Sequence, residues 1–166
     1  MKVLLLTLLH VILLLLCVCS CHHKPYPRSM QIADSIVNTA PDSAVALLVQ
    51  LKGTILSEPK STQMYYNLLS IKAKDKAYIP HTSDSLILQV IHYYEQREDE
   101  KHLPEAYYYA GRTYRDLGDA PQALDYFQKA VDRIGKGKDY ELYSRMYSQM
   151  GTLYMYQDMY EEAMKA

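Results

Sequence analysis

Tryptophan is missing from the 166 residues, and a single phenylalanine stands beside 17 tyrosines. Aromatic packing therefore falls to tyrosine, whose ring is buried while its hydroxyl reaches toward water. Cysteine is confined to Cys17, Cys19 and Cys21, so no disulfide framework can hold the rest of the chain. A Gly-rich phosphate loop, an H-E-x-x-H pair and a G-x-S-x-G elbow are all lacking. His81, His92 and His102 fall on a loop, a helix and a joint rather than at i, i+4, and read as surface or packed side chains, not ligands. Nothing in the chain composes a catalytic, cofactor or metal site, so the reading is non-enzymatic. The formal net charge is −1 and the basic residues form no stripe, which argues against a nucleic-acid partner within this region.

What is present is centred on Ala106 to Ala130, AYYYAGRTYRDLGDAPQALDYFQKA. Tyr107, Ala110, Gly111 and Tyr114 recur at i, i+3, i+4 and i+7 and predict one buried helical stripe. Gly118 is placed to end that helix in the left-handed conformation, and Asp119 to cap the next. Pro121 falls in the first turn, and Gln122 stands three residues after the cap as in a capping box. Ala123, Leu124, Phe127, Ala130, Val131 and Ile134 form the second apolar face. Two helices this short need neighbours to bury their stripes, so the hairpin predicts a repeat.

Counted from Pro104, the stretch resembles a tetratricopeptide repeat: Tyr107, Ala110, Gly111, Tyr114, Ala123, Phe127 and Ala130 match the family's large, small and aromatic positions. It departs from the pattern at Tyr107, where Trp is commonest, at Ala110, where Leu is usual, and at Gly135, where proline often closes the repeat. The stripe returns at Met146, Tyr147, Met150, Gly151 and Tyr154, and Asp158, Glu161 and Ala163 echo the turn, cap and second helix. The resemblance implies an all-α fold, a right-handed TPR-like superhelix of about four antiparallel helical hairpins.

Two looser hairpins precede this one. Ser29 to Asn38 predicts a helix broken before Pro41; Asp42 or Ser43 caps a second one, ending at Gly53. After a loop to Ser61, Thr62 to Tyr78 predicts a third helix stopped near Pro80, and Thr82 or Ser83 caps a fourth carrying Leu86, Ile87, Val90, Ile91 and Tyr94. Lys72, Lys74 and Lys76 read as a solvated helix end that suits the helix dipole. Arg112 and Asp116, one turn apart, are expected to pair on the helix surface, worth about 0.2 to 0.5 kcal/mol.

The N-terminus reads as an address. Lys2 precedes an apolar run from Val3 to Leu16, and Val18-Cys19-Ser20-Cys21 follows. This resembles a bacterial lipoprotein signal, with Val18 and Ser20 fitting the positions before a modified Cys21, although Val replaces the commoner Leu and Cys19 departs at the second position. An uncleaved anchor is the alternative, for which the run is somewhat short. His22 and His23 read as a polar tether rather than a metal site. The organisation is then a signal over 1–21, an extended linker over 22–28, degenerate hairpins over 29–101, and tetratricopeptide repeats over 102–166, the last truncated. The sequence stops before that repeat is complete, which predicts a piece of a longer protein.

The combination resembles bacterial membrane-attached tetratricopeptide repeat proteins. That resemblance implies a protein-interaction scaffold of the cell envelope, on the periplasmic side rather than the cell surface, held to the membrane by a lipid on Cys21. It also implies binding of a peptide or protein segment in the concave groove, where the family's contact positions fall on Glu105, Tyr108, Arg112, Arg115, Asp116, Arg145, Ser148, Thr152, Met155 and Tyr156. The alternative is the sensor part of a membrane-attached regulator, with transmembrane and output segments, some DNA-binding, beyond residue 166.

Overall fold

The computed structural model describes residues 26–134 and 140–157, together with 159, 162, 165 and 166. Among them are seven α-helices, which we number α1 (Arg28–Ile36), α2 (Pro41–Leu51), α3 (Lys60–Lys76), α4 (Ser85–Glu95), α5 (Leu103–Asp116), α6 (Ala120–Ile134) and α7 (Tyr140–Tyr156). No strand occurs among the described residues. Consecutive helices pack pairwise, giving three complete hairpins and the first helix of another. The fold is all-α and TPR-like.

The α5/α6 hairpin follows the sequence pattern closely. At its turn Gly118 takes φ +80°, and the amide of Asp119 donates to the Tyr114 carbonyl at 2.9 Å while that of Gly118 reaches Arg115 at 3.1 Å. Orphan carbonyls at the helix end are thereby satisfied. Asp119 Oδ1 accepts the Gln122 amide at 3.1 Å, so the cap forms. The reciprocal half of the capping box does not, because the Asp119 amide is already committed to Tyr114. Opposite the turn, Gly111 lets the helices close until the fully buried Phe127 ring occupies the space a Cβ would need.

The same closure recurs at two ends without glycine. Tyr78 (φ 56°) and Glu98 (φ 49°) are left-handed, with Ile79 N donating to Lys74 O and Asp99 N to Tyr94 O. Each helix stops where its last carbonyls find these donors, so α3 ends at Lys76 rather than at Tyr78.

Several expected caps are corrected. Helix α2 begins at Pro41 with Ala40 as its N-cap, leaving Asp42 and Ser43 inside the first turn; the fixed φ of proline suits this position. Helix α4 has Asp84 at its N-cap, without a side-chain bond, and Ser83 contributes from one residue earlier, its Oγ accepting the Ser85 amide at 3.2 Å. The loop before α3 holds a 3-10 turn, Ile55–Ser57, which buries Ile55. The expected linker over 22–28 ends inside the fold: Tyr26 stacks on Tyr65 with centroids 4.8 Å apart, and α1 starts at Arg28. Residues 22–25, and the turn and cap expected at Asp158, Glu161 and Ala163, lie outside the described residues.

Two apolar clusters form the interior. One joins α1 and α2 to one side of α3 through Met30, Ala33, Leu48, Tyr66, Leu69 and Ala73. The other runs from Met64, Leu68 and Ile71 on α3 through α4 to α7.

Candidate functional site

The first helices of successive hairpins, α1, α3, α5 and α7, lie side by side, and polar side chains bridge each neighbouring pair. Tyr65 on α3 donates to Asp34 on α1 at 2.8 Å. Lys72 on α3 meets Glu105 on α5 at 2.7 Å. Arg112 on α5 donates from Nε to Asp75 of α3 at 2.6 Å and from Nη1 to Gln149 of α7 at 2.8 Å. Arg115 shares the Gln149 oxygen at 2.8 Å and reaches Asp116 at 3.0 Å. The result is a ladder of ion pairs and hydrogen bonds across one face.

This ladder changes what several expected groove residues do. Arg112 does not pair with Asp116; it spans two interhelical gaps, and its side chain is only 14% exposed. Asp116 turns instead to His81, accepting its backbone amide at 3.0 Å and lying 2.8 Å from its Nδ1. Burial alone would raise the Asp116 pKa, but the bonds from His81 and Arg115 outweigh it and hold the carboxyl below its usual value. Tyr108 is buried, its ring packed near Tyr109 and Phe127. Lys72 is not a solvated helix end, because Glu105 holds it.

Other groove residues remain open to solvent. Ser148, Thr152, Met155 and Tyr156 are exposed along α7, with the Thr152 hydroxyl donating back to the Ser148 carbonyl. Arg145 is half-buried and pairs with Glu141 on its own helix. Near it Lys76 forms no ion pair among the described residues; burial first, then the Arg145 guanidinium, pushes its pKa below the usual lysine value. Cys21, and with it the expected lipid attachment, lies outside the described residues.

Where this face meets the joint between hairpins, a cavity of about 340 Å³ opens. Its walls include Lys72, Lys101, Arg133 and Arg145, set against Glu100 and Glu105, with Ile134 and Leu142 beneath. The repeat pattern places Glu105 and Arg145 at this face but not Lys72, Lys101 and Arg133. They come from three different elements, and no spacing along the chain brings them together. Among the described residues no group of three or more His, Cys, Asp or Glu is arranged to hold a metal ion, and no helix is long and apolar enough to cross a membrane.

Tyrosine is used differently from the simple expectation of hydroxyls in water. Tyr107 donates to Glu95 at 2.6 Å, Tyr114 to Asp84 at 2.8 Å, and Tyr66 to the Leu48 carbonyl at 2.9 Å. Each bond ties a first helix to the second helix of the preceding hairpin or to the residue that caps it. Burial and the Asp84 carboxylate push the Tyr114 hydroxyl up to about 12, so it remains a neutral donor.

Stacked helical hairpins, stitched between layers and carrying a polar face along their first helices, define an all-α repeat array. Residues 102–166 match the tetratricopeptide repeat family. Repeats of this family generally mediate protein–protein interaction. Comparison with curated proteins and with solved structures returns no match.

Proposed function

We propose that this chain is a non-enzymatic scaffold of the cell envelope that binds an acidic peptide or protein segment along its first-helix face. The observation that carries this reading is the 340 Å³ cavity, whose rim bears four cations: Lys72, Arg133 and Arg145, paired with Glu105, Glu100 and Glu141, and Lys101, without an ion pair among the described residues. An incoming carboxylate gains charge-assisted hydrogen bonds there, while apolar side chains settle on Ile134 and Leu142. The exposed Ser148, Thr152, Met155 and Tyr156 extend the surface for a longer segment. Nucleic acid is not the partner in this reading, because the cations are interleaved with Glu100 and Glu105 rather than aligned along a phosphate track.

The test is an array of synthetic peptides, each about 12 residues long and of graded charge, probed with the full chain and with Arg145→Glu. Wild type is expected to retain the carboxylate-rich peptides over the lysine-rich ones. Arg145→Glu should weaken that retention about tenfold, matching the loss of a charge-assisted bond, with Arg145→Gln intermediate and helicity unchanged. Retention independent of peptide charge, or equal in wild type and Arg145→Glu, would overturn the proposal.

The envelope location rests on the sequence around Cys21. In this reading an acyl group on Cys21 tethers the array on the periplasmic side of a membrane. Feeding cells a labelled fatty acid should mark the wild-type protein and leave Cys21→Ser unmarked; equal labelling would refute the anchor.

A further inference from the structure

A second cleft lies away from the first-helix face, between the second helices α2 and α4. It measures about 390 Å³ and is walled by α2, the 3-10 turn, α3 and the start of α4. At the next joint along the array, the corresponding space is closed by a tyrosine. Tyr66 donates to α2 as Tyr107 donates to α4, which aligns the two first helices. Seven residues further on, Tyr114 of α5 stacks on Tyr126 with centroids 5.4 Å apart and hydrogen-bonds Asp84, whereas α3 has Ala73 at the matching position.

Three features describe what would fill it. Val49 and Leu56 are 62% and 75% exposed on its rim, with Leu86 beside them, so an occupant confined to the cleft would leave apolar surface uncovered. Lys52 and Lys74 line it without an ion pair among the described residues, and none of its lining residues is acidic. The Ser70 hydroxyl, also in the lining, is buried and has no hydrogen-bond partner among the described residues. Such a group leaves a bond unmade until an acceptor arrives.

We propose that the α2/α4 cleft is a second docking site, taking an amphipathic acidic segment of a partner protein. Its leucine-like side chains fill the cleft and cover Val49 and Leu56, its carboxylates meet Lys52 and Lys74, and one of its oxygens accepts from Ser70. The exposed apolar rim favours a polypeptide over a single acyl chain, which would occupy the cleft and leave Val49 and Leu56 in water. The site is separate from the first-helix groove and does not depend on it.

The experiment uses the full chain and two fluorescein-labelled helical peptides that share leucines at i, i+3, i+4 and i+7 and differ only in carrying glutamates or lysines beside them. Fluorescence anisotropy is expected to show binding of the glutamate peptide. Lys52→Glu/Lys74→Glu should weaken it at least tenfold and transfer preference to the lysine peptide, and Leu56→Ser should weaken both. These positions lie on the rim, so the variants stay folded, with the reversed charges at the C-terminal ends of α2 and α3 lowering the melting temperature only modestly. All titrations are repeated in an Arg145→Glu background, where the first-helix groove no longer competes for the glutamate peptide, and binding at the cleft should persist there. If Arg145→Glu abolishes it, the peptide is in the first-helix groove and the inference fails. It fails equally if the charge swap does not exchange preference, or if dodecanoate binds at the cleft while neither peptide does.

Discussion

Gly111→Leu is expected to cause the largest loss of melting temperature of any single substitution at the α5/α6 interface. A Cβ built at Gly111 lies 2.5, 2.6 and 2.8 Å from three carbons of the Phe127 ring. Phe127 is fully buried and also packs near Tyr108, so the ring has no open space to enter. Even Gly111→Ala sets two effects against each other. Alanine gains about 0.8 to 1 kcal/mol of helix propensity over glycine, while overpacking a filled core costs about 1 to 3 kcal/mol. Contact with a rigid ring, rather than with the end of a flexible chain, lets overpacking win. Gly111→Leu adds three more carbons to the same gap and should reach about 3 kcal/mol or more. Circular dichroism melts check the order, wild type above Gly111→Ala above Gly111→Leu. Phe127→Leu combined with Gly111→Ala should destabilise by less than the sum of the single changes, because the smaller side chain makes room. A Gly111→Ala protein that melts at or above wild type would show that the two helices are not held this close.

The second large effect is expected at Arg112. Its partner Asp75 has a side chain only 6% exposed, so Arg112→Met leaves a carboxylate without its charge partner inside the array. Breaking a buried pair from one side typically costs about 3 to 5 kcal/mol, far more than the pair contributes against a well-packed apolar replacement. The gap at Arg112 is partly open to water, which places the expectation at about 3 kcal/mol. Arg112→Met/Asp75→Leu should recover much of that loss. Urea unfolding of wild type, the two single variants and the double variant, read as midpoints at a common slope, gives the coupling between the sites. A coupling near zero would mean that the ladder contributes nothing to stability. The buried pair also fixes how Arg112 variants should be interpreted in binding assays: lost capture in Arg112→Glu would report a damaged joint between α3, α5 and α7. Arg145, whose partner Glu141 sits on its own helix, is the cleaner probe.

Local pattern carried the α5/α6 hairpin. Gly111, Gly118, Asp119, Ala123 and Phe127 all act within their own helix or its hairpin partner, and helical periodicity with cap chemistry reaches that far. Tyr78 and Glu98 were illegible because a left-handed tyrosine or glutamate is disfavoured locally and is imposed by the packing of whole hairpins. The polar ladder was hidden for a related reason. Asp75 and Arg112 meet only once α3 and α5 have been laid side by side, and the local i, i+4 rule pointed to Asp116 instead. The openings followed the same division. Glu105 and Arg145 could be placed by the repeat pattern, whereas the cleft behind α3 is assembled from α2, the 3-10 turn, α3 and α4, which no local pattern brings together.

Helix α3 buries side chains on two sides: Tyr66, Leu69 and Ala73 belong to one cluster, and Met64, Leu68 and Ile71 to the other. A chain cut between residues 101 and 102, where the sequence changes from loose hairpins to regular repeat, would therefore strip α3 and α4 of the surface that α5 covers. The boundary drawn by sequence family is not a boundary of cooperativity. The irregular first half and the regular second half share one keel, and they are expected to gain and lose structure together.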